Sequence, residues 1–344
     1  MLKYKVFVGP DMDGRTLRSI VQSELKMSRR LVRSLAQTDG VLLNGQPAHL
    51  TLRAQQGDEI NVMLPQEISD LEPESMPLDI RYEDDEILVV NKPPGVLSHP
   101  TARERTGSLL AGVRGYLGVK FAPHLIHRLD RNTSGLIMVA KHAHAHHLFD
   151  MALRSGSVHR VYAALCWHRN DSILERSTQA SQLQFGVWQS VDVPIAQDPD
   201  RPSKRVVGAG GQDALTLYRC VNQCAELALV QVVLKTGRTH QIRLHLASQG
   251  LPIAGDLDYG GNRDGANDGT FDGAAGFTPD GIHRQALHAI QLAWAHPVTH
   301  QVHVASAKPP EDMQSTWLQQ GGRPKVWDQF VSDRDALQQV DMMD

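Results

Sequence analysis

Residues 65–77, PQEISDLEPESMP, constrain the fold more than any other stretch. They hold three prolines and four acidic residues and show no apolar periodicity, so neither a helix nor a central strand can run through them. They read as a linker. The chain is thereby divided into a short first part and a long second part, and each must bury a core of its own. With 344 residues, 41% of them hydrophobic, there is apolar material enough for two or three domains.

The first part, residues 1–64, reads as a small α/β module, most clearly from residue 13 onward. Leu17, Ile20, Val21 and Leu25 fall at helical spacing. Ser28 is placed to cap a second helix whose inner face is Leu31, Val32 and Leu35 and which Gly40 stops. Val41 to Leu43 then enter an Asn44-Gly45 turn, and Gly57-Asp58 lead into a last strand from Ile60 to Leu64. In the second part, apolar runs at 87–90, 135–140, 161–165, 227–234 and 287–295 read as strands, and 107–115 and 142–153 as helices. Strands and helices mixed without regular alternation predict an α+β domain with a largely antiparallel mixed sheet over residues 78–310. The Gly- and Asp-rich stretch 260–281 reads as an exposed loop, and 311–344 as a polar C-terminal extension.

Composition narrows the setting. Three widely spaced cysteines, Cys166, Cys220 and Cys224, argue against a disulfide framework and for buried thiols in a reducing compartment. The N-terminus lacks the apolar core of a secretory signal, and no apolar run is long enough to span a bilayer. A cytoplasmic protein without a membrane partner is the expectation. The net charge of −3 hides a segregation: residues 66–86 carry −8 and residues 311–344 carry −4, which leaves +9 on the other 289 residues. A mildly basic body is compatible with RNA and does not by itself demand it.

The chemistry concentrates in His127-Arg128-Leu129-Asp130-Arg131-Asn132-Thr133-Ser134-Gly135-Leu136, where a lone carboxylate stands between two arginines just ahead of an apolar strand. That places Asp130 at a strand mouth, where an ionised carboxylate in a partly desolvated cleft can act as a nucleophile. On charge spacing alone, a surface ion pair with Arg128 or Arg131 is the simpler reading.

The longer pattern reverses that preference. HRLDRNTSGLIMVAK closely resembles the catalytic motif of the RluA-type RNA pseudouridine synthases. In the same order, ILVVNKPPG at 87–95 resembles that family's opening strand and turn, RVYAA at 160–164 its tyrosine motif, and LKTGRTHQIRLH at 234–245 its arginine motif. The likeness continues through Gly255-Asp256 and Leu287-His288-Ala289. One such motif is weak evidence, whereas four in order are not coincidence. The N-terminal module resembles a small RNA-binding domain first recognised in a small-subunit ribosomal protein, through Ser28-Arg29-Arg30, Arg33, Asn44-Gly45 and Gly57-Asp58. Alone, Arg29, Arg30 and Arg33 read equally as a solvated helix face; beside a synthase core, phosphate binding is the better reading.

The resemblance implies conversion of uridine to pseudouridine in structured RNA, ribosomal RNA in preference to transfer RNA, after the nucleotide is flipped from its stack. Product and substrate have the same atoms, so no cofactor and no metal are implied. Asp130 would be the essential carboxylate, Tyr162 would stack on the target base or take its carbon-five proton, and Arg243 would pair with Asp130. Arg128 would fill the space the nucleotide vacates, and Leu287 would line the pocket. The tyrosine motif departs from the family at Arg160, where lysine is usual. A monomer is the expectation.

Other signals carry less. His142 and His146, four apart in KHAHAHH, lack the carboxylate of a known zinc motif and read as a solvated helix face. The Gly208–Gly211 run has no following lysine and is not a phosphate loop. Two rival functions are an RNA-binding protein without catalysis and a glycosidase. The latter would need a second carboxylate, for which Asp256 is the one candidate and a turn-stabilising role the simpler reading.

Overall fold

The computed structural model describes residues 3–168, 185–224, 226–260 and 282–333. Most of the 260–281 loop and the tail beyond 333 lie outside these residues.

The N-terminal module follows its sequence signals closely. Strand β1 (Lys3–Phe7) precedes helices α1 (Leu17–Ser23) and α2 (Arg29–Gln37), then β2 (Val41–Leu43), β3 (Gln46–Pro47) and β4 (Glu59–Met63). The Ser28 hydroxyl accepts from Leu31 N at 3.2 Å, capping α2 as expected. The αL residue after that helix is Asp39 rather than Gly40. Asn44 and Gly45 both take positive φ, as a two-residue hairpin turn requires. The sheet order is β1-β4-β2-β3, so a strand not anticipated from sequence forms one edge. Leu17, Ile20, Val21, Val32, Leu35, Ile60 and Val62 fill a core separate from the rest of the molecule.

The second part is built on β5 (Ile80–Glu83), β6 (Ile87–Lys92), α3 (Leu109–Leu117), β7 (His124–Leu125), β8 (Ser134–Ala140), α4 (Ala143–Arg154), β9 (Val158–Trp167), β10 (Gln189–Asp192), β11 (Ile195–Gln197), β12 (Arg205–Val207), β13 (Leu215–Cys224), β14 (Leu227–Leu234), α5 (Gln241–Ser248), β15 (Leu287–Ala295) and β16 (Val302–Ser306). Its large sheet runs β10-β13-β14-β9-β15-β8-β6-β5, with β16 on β15 and β7 on β8. Among the described pairings, β8 with β15 is parallel and the others are antiparallel. This is the mixed, largely antiparallel sheet that the sequence predicts. Strands β8 and β14 are buried along their whole length, which is why they read as continuous apolar runs rather than alternating ones.

The parallel pair sets a steric condition next to the site. Gly135 stands at φ 111° opposite Ala289, and a Cβ there would lie 2.3 Å from the Ala289 carbonyl oxygen. Only glycine lets β8 approach β15 so closely immediately after the Asp130 loop.

Two segments are packed in ways their composition does not announce. The segment 65–77 is not a free tether. Glu67 accepts from Ala143 N at 2.8 Å and pairs with His124 at 3.1 Å, while Glu74 both donates its N–H to Ala111 O at 3.1 Å and accepts from Gly107 N at 2.7 Å. Leu71 and Met76 pack on the main core, so the acidic residues serve as anchors for a strap. The C-terminal extension is likewise folded as far as Ser332, as α6 (Glu311–Gln319) and α7 (Val326–Ser332). Met313, Trp317, Trp327 and Phe330 are buried in the main core. Their apolar residues are too sparse among polar ones to announce that burial in sequence.

The reading of His142 and His146 as a solvated helix face is corrected, with His146 half-buried. His142 and His144 are buried rather than solvated. His142 caps α4 by accepting from Ala145 N at 3.2 Å and faces Glu86 at 3.2 Å, and the Tyr4 hydroxyl donates to the same Glu86 carboxylate. His144 packs edge-on against Tyr4, so the run forms part of the seam between the two cores.

Asp84 ties the β5–β6 turn to β15. Its carboxylate accepts from Glu86 N and Ile87 N at 2.8 Å each and from the Tyr82 hydroxyl at 2.8 Å, and it faces His296 Nε2 at 3.1 Å. Burial opposes its charge, but the His296 contact and the N–H donors outweigh burial and hold its pKa down to about 2. A depressed carboxylate contributes stability that is complete above its unfolded pKa and is lost as pH falls through the folded value. Asp84→Asn is therefore expected to lower unfolding free energy on the order of 2 kcal/mol at pH 7. The gap from wild type should narrow as the pH falls from about 4 toward 2. Urea midpoints at pH 7, 4 and 3 check this; a gap independent of pH would refute it.

Candidate active site

Asp130 lies in the loop between β7 and β8, with its side chain 29% exposed at the mouth of the sheet. Four residues pin that loop through its backbone and a fifth through a side chain. Ser98 clamps Leu129 from both sides, its hydroxyl donating to the carbonyl at 2.7 Å and accepting the N–H at 3.1 Å. Lys92, fully buried, donates to the carbonyls of Pro93, Val96 and Arg131 at 2.8–2.9 Å, and Gly95 N also donates to Arg131 O at 3.0 Å. Arg284 donates to Asn132 O at 2.9 Å while Asp312 of α6 grips its guanidinium at 2.6 and 2.9 Å. Gln285 reaches Thr133. The C-terminal helix thus bears directly on the loop. Burial, then the Arg284 cation, push the Lys92 pKa down to about 7, against the pull of Asp130. Three carbonyl acceptors match the three N–H groups of the ammonium form.

Arg243, on α5, is buried and serves three carboxylates. It donates to both oxygens of Asp256 at 2.6 and 2.7 Å, to Asp258 at 2.7 Å, and to Asp130 Oδ2 at 3.4 Å. Burial works against its charge, but Asp256 and then Asp130 and Asp258 outweigh it and raise its pKa above the ordinary value. Asp256 is wholly buried and doubly bonded to Arg243, so it cannot serve as the second carboxylate of a glycosidase. Asp258 is drawn up by burial and then held below the ordinary carboxylate range by Arg243 and Lys204.

Tyr162 is buried on β9 in the sheet row that runs Gly135, Ala289, Tyr162, Val232. Burial raises its pKa, the Asp130 charge adds to the rise, and Arg160 opposes it. Arg160 lies two residues earlier on the same strand face, with Nη2 3.4 Å from the Thr236 carbonyl. Leu287 is buried in the same apolar cluster as Tyr162 and Leu129. Arg128 is exposed beside Asp130, whereas Arg131 is occupied by Glu104. Arg29, Arg30 and Arg33 are exposed on α2, and among the described residues no carboxylate pairs with them.

The structure therefore brings Asp130 into contact with Arg243 and within electrostatic reach of Tyr162, and sets the three module arginines on another core. Sequence reasoning missed His240, Asp258 and Tyr259. His240 Nε2 is 3.9 Å from Asp130 Oδ2, and the Tyr259 ring lies 5.0 Å from the Arg243 guanidinium carbon. His240 stands inside the arginine motif, which was the one signal for it. Asp258 and Tyr259 follow Asp256 closely, yet nothing in their types distinguishes them from a turn.

Comparison with known proteins identifies the family and the fold. The family model described as RNA pseudouridylate synthase matches residues 86–248. An uncharacterized RNA pseudouridine synthase of Bacillus subtilis is 32% identical over 90% of this chain and 95% of its own length. Ribosomal large subunit pseudouridine synthase D of Xanthomonas campestris is 33% identical over 89% of each chain. The solved structure of human RNA pseudouridylate synthase domain containing 4 shares the fold, with a TM-score of 0.51 and 23% identity over 70% of this chain and 92% of that one. With relatives this similar over nearly its whole length, the chain belongs to the RNA pseudouridine synthase family and is an isomerase of RNA uridine.

Proposed function

We propose that the protein isomerises uridines in structured large-subunit ribosomal RNA, with Asp130 as the essential carboxylate acting on an extruded nucleotide. The observation that carries this reading is the half-open position of Asp130 above a buried Arg243 that is already neutralised by Asp256 and Asp258. Such a carboxylate keeps one face toward solvent and substrate while its own charge is compensated from behind. The ribosomal preference is supported by relatives named ribosomal large subunit pseudouridine synthase D; transfer RNA is the other candidate.

In the reaction the bond from C1′ to N1 breaks, the uracil turns, and a bond from C1′ to C5 forms. The C5 proton leaves and N1 ends protonated. Asp130 can begin this by adding to C1′ or by removing a ribose proton to give a glycal, and both routes start with the carboxylate against the sugar. A sugar inside a stacked helix does not offer that approach, so the nucleotide must leave the stack at a cost of about a few kcal/mol. Exposed Arg128 is the side chain placed to occupy the vacated position. Tyr162, kept protonated by burial, is better suited to packing against the base than to removing its C5 proton.

Asp130→Asn is expected to reduce pseudouridine formation by more than a thousandfold, with the RNA dissociation constant unchanged within about threefold. Chemical mapping of ribosomal and transfer RNA from cells lacking the gene, before and after treatment with the protein, reads both activity and target. Activity of the variant within tenfold of wild type would remove Asp130 from its role, and product confined to transfer RNA would overturn the ribosomal assignment. Replacing Arg29, Arg30 and Arg33 together by Ala should reduce the slope of log affinity against log salt by about three, as expected for three phosphate contacts. An unchanged slope would leave α2 outside the interface. Arg128→Ala should slow turnover at saturating RNA more than it weakens binding, and equal losses would count against a flipping role.

A further inference from the structure

We propose that His240 is a positioning residue that, with Arg243, holds the Oδ2 side of Asp130 and so leaves Oδ1 as the oxygen that meets the ribose. The proposal rests on the reading of Asp130 as the essential carboxylate.

Both contacts of the Asp130 carboxylate fall on one oxygen. Arg243 Nη1 lies 3.4 Å and His240 Nε2 lies 3.9 Å from Oδ2. Among the described residues Oδ1 has no partner. The two donors come from one turn of chain, since His240 is the N-cap of α5 and Arg243 follows three residues later on the same face.

The backbone at His240 is bent for this purpose. It takes φ 58° and ψ 17°, the left-handed conformation that costs a non-glycine residue about 1 kcal/mol, and its side chain makes no capping bond. The neighbouring Gln241 fixes the bend. Its buried amide accepts from the Thr236 hydroxyl at 3.0 Å and Arg238 N at 2.9 Å, and donates to Leu215 O at 3.1 Å and the Thr216 hydroxyl at 2.9 Å. All four hydrogen-bonding positions of that side chain are used, two within the turn and two to β13.

A second chain of contacts sets the ring's tautomer. Arg205 N donates to the Tyr259 hydroxyl at 2.9 Å, and that hydroxyl lies 2.9 Å from His240 Nδ1. Nδ1 is the one acceptor for the Tyr259 hydroxyl among the described residues, so Tyr259 gives its hydrogen to Nδ1 and the ring hydrogen is left on Nε2, facing Asp130. Burial, and beyond it the Arg243 cation, hold His240 below its ordinary pKa against the pull of Asp130, so the ring is neutral at neutral pH. A neutral N–H donor steers the carboxylate without adding a cation next to Arg243. At 3.9 Å the contact is longer than a hydrogen bond, and catalytic contacts of this kind tighten when substrate closes the site.

The test follows tritium release from bulk RNA of cells lacking the gene, labelled with [5-³H]uridine, since the C5 hydrogen is lost in the reaction. Single-turnover rates at saturating RNA are measured beside RNA affinity by filter retention for His240→Ala, His240→Gln, Tyr259→Phe and, in parallel, Asp130→Asn. His240→Ala is expected to slow the reaction about 10- to 100-fold with affinity within twofold of wild type. His240→Gln, which keeps an N–H of similar reach, should recover to within about fivefold, and Tyr259→Phe should fall between these. A rate for His240→Ala within twofold of wild type, a matching loss of affinity, or no recovery with Gln overturns the proposal. If His240→Ala does not fold, the Gln and Phe variants decide: both at wild-type rate overturn it. Inactive Asp130→Asn beside full-speed His240→Ala defeats the positioning role alone, whereas active Asp130→Asn defeats the reading beneath it.

Discussion

One buried guanidinium holds the site together. Arg243 makes four hydrogen bonds to Asp256, Asp258 and Asp130, and the three carboxylates do not share them equally. A buried cation is tolerated only if its charge and its N–H groups are matched. Asp256, with both oxygens engaged and no exposure, does most of that matching. Asp258 adds a third bond and is itself neutralised by Lys204 at 3.4 Å. Asp130 receives what remains, a longer contact on one oxygen. The consequence is a carboxylate held on Oδ2 alone, with Oδ1 unpartnered among the described residues. Had Arg243 met Asp130 alone in a two-pronged bond, both oxygens would be occupied and neither would be available to a sugar carbon.

The loop that carries Asp130 is fixed largely through its backbone. Lys92 and Ser98 from one stretch and Arg284 from a distant one converge on the carbonyls of Leu129, Arg131 and Asn132. This places the carboxylate without using its oxygens, which is the condition for a rigid side chain that is still chemically free. Arg284 is in turn oriented by Asp312, so the two C-terminal helices, anchored by Trp317 and Trp327 in the core, are part of the frame of the loop.

Much of this was legible in the sequence where short-range chemistry determines the outcome. Ser28 capped its helix, Asn44-Gly45 made its turn, and the runs 227–234 and 287–295 became β14 and β15 with the same limits. Arg243 was marked by its motif. What escaped was decided by contacts far apart in the chain. Glu67 and Glu74 look like linker residues until the N–H groups of Ala143 and Gly107 are beside them. His142 and His144 look solvated until Tyr4, about 140 residues away, closes over them. Asp256 looks like a turn former because its partner is 13 residues distant on a helix. No local pattern encodes such pairings.

The same contrast explains why the arginine motif is a continuous stretch while the Asp130 loop is supported from many places. Residues 236–243 must deliver a guanidinium and an imidazole to one oxygen, and a turn locked by Gln241 at the start of a helix does this within eight residues. The Asp130 loop has the opposite task. On the proposed reading it admits an RNA nucleotide, and much of its bracing comes from behind, through the carbonyls of Leu129, Arg131 and Asn132. A compact donor turn meets an externally braced acceptor loop at Oδ2 of Asp130, and on the proposed reading it is Oδ1, without a partner among the described residues, that faces the ribose.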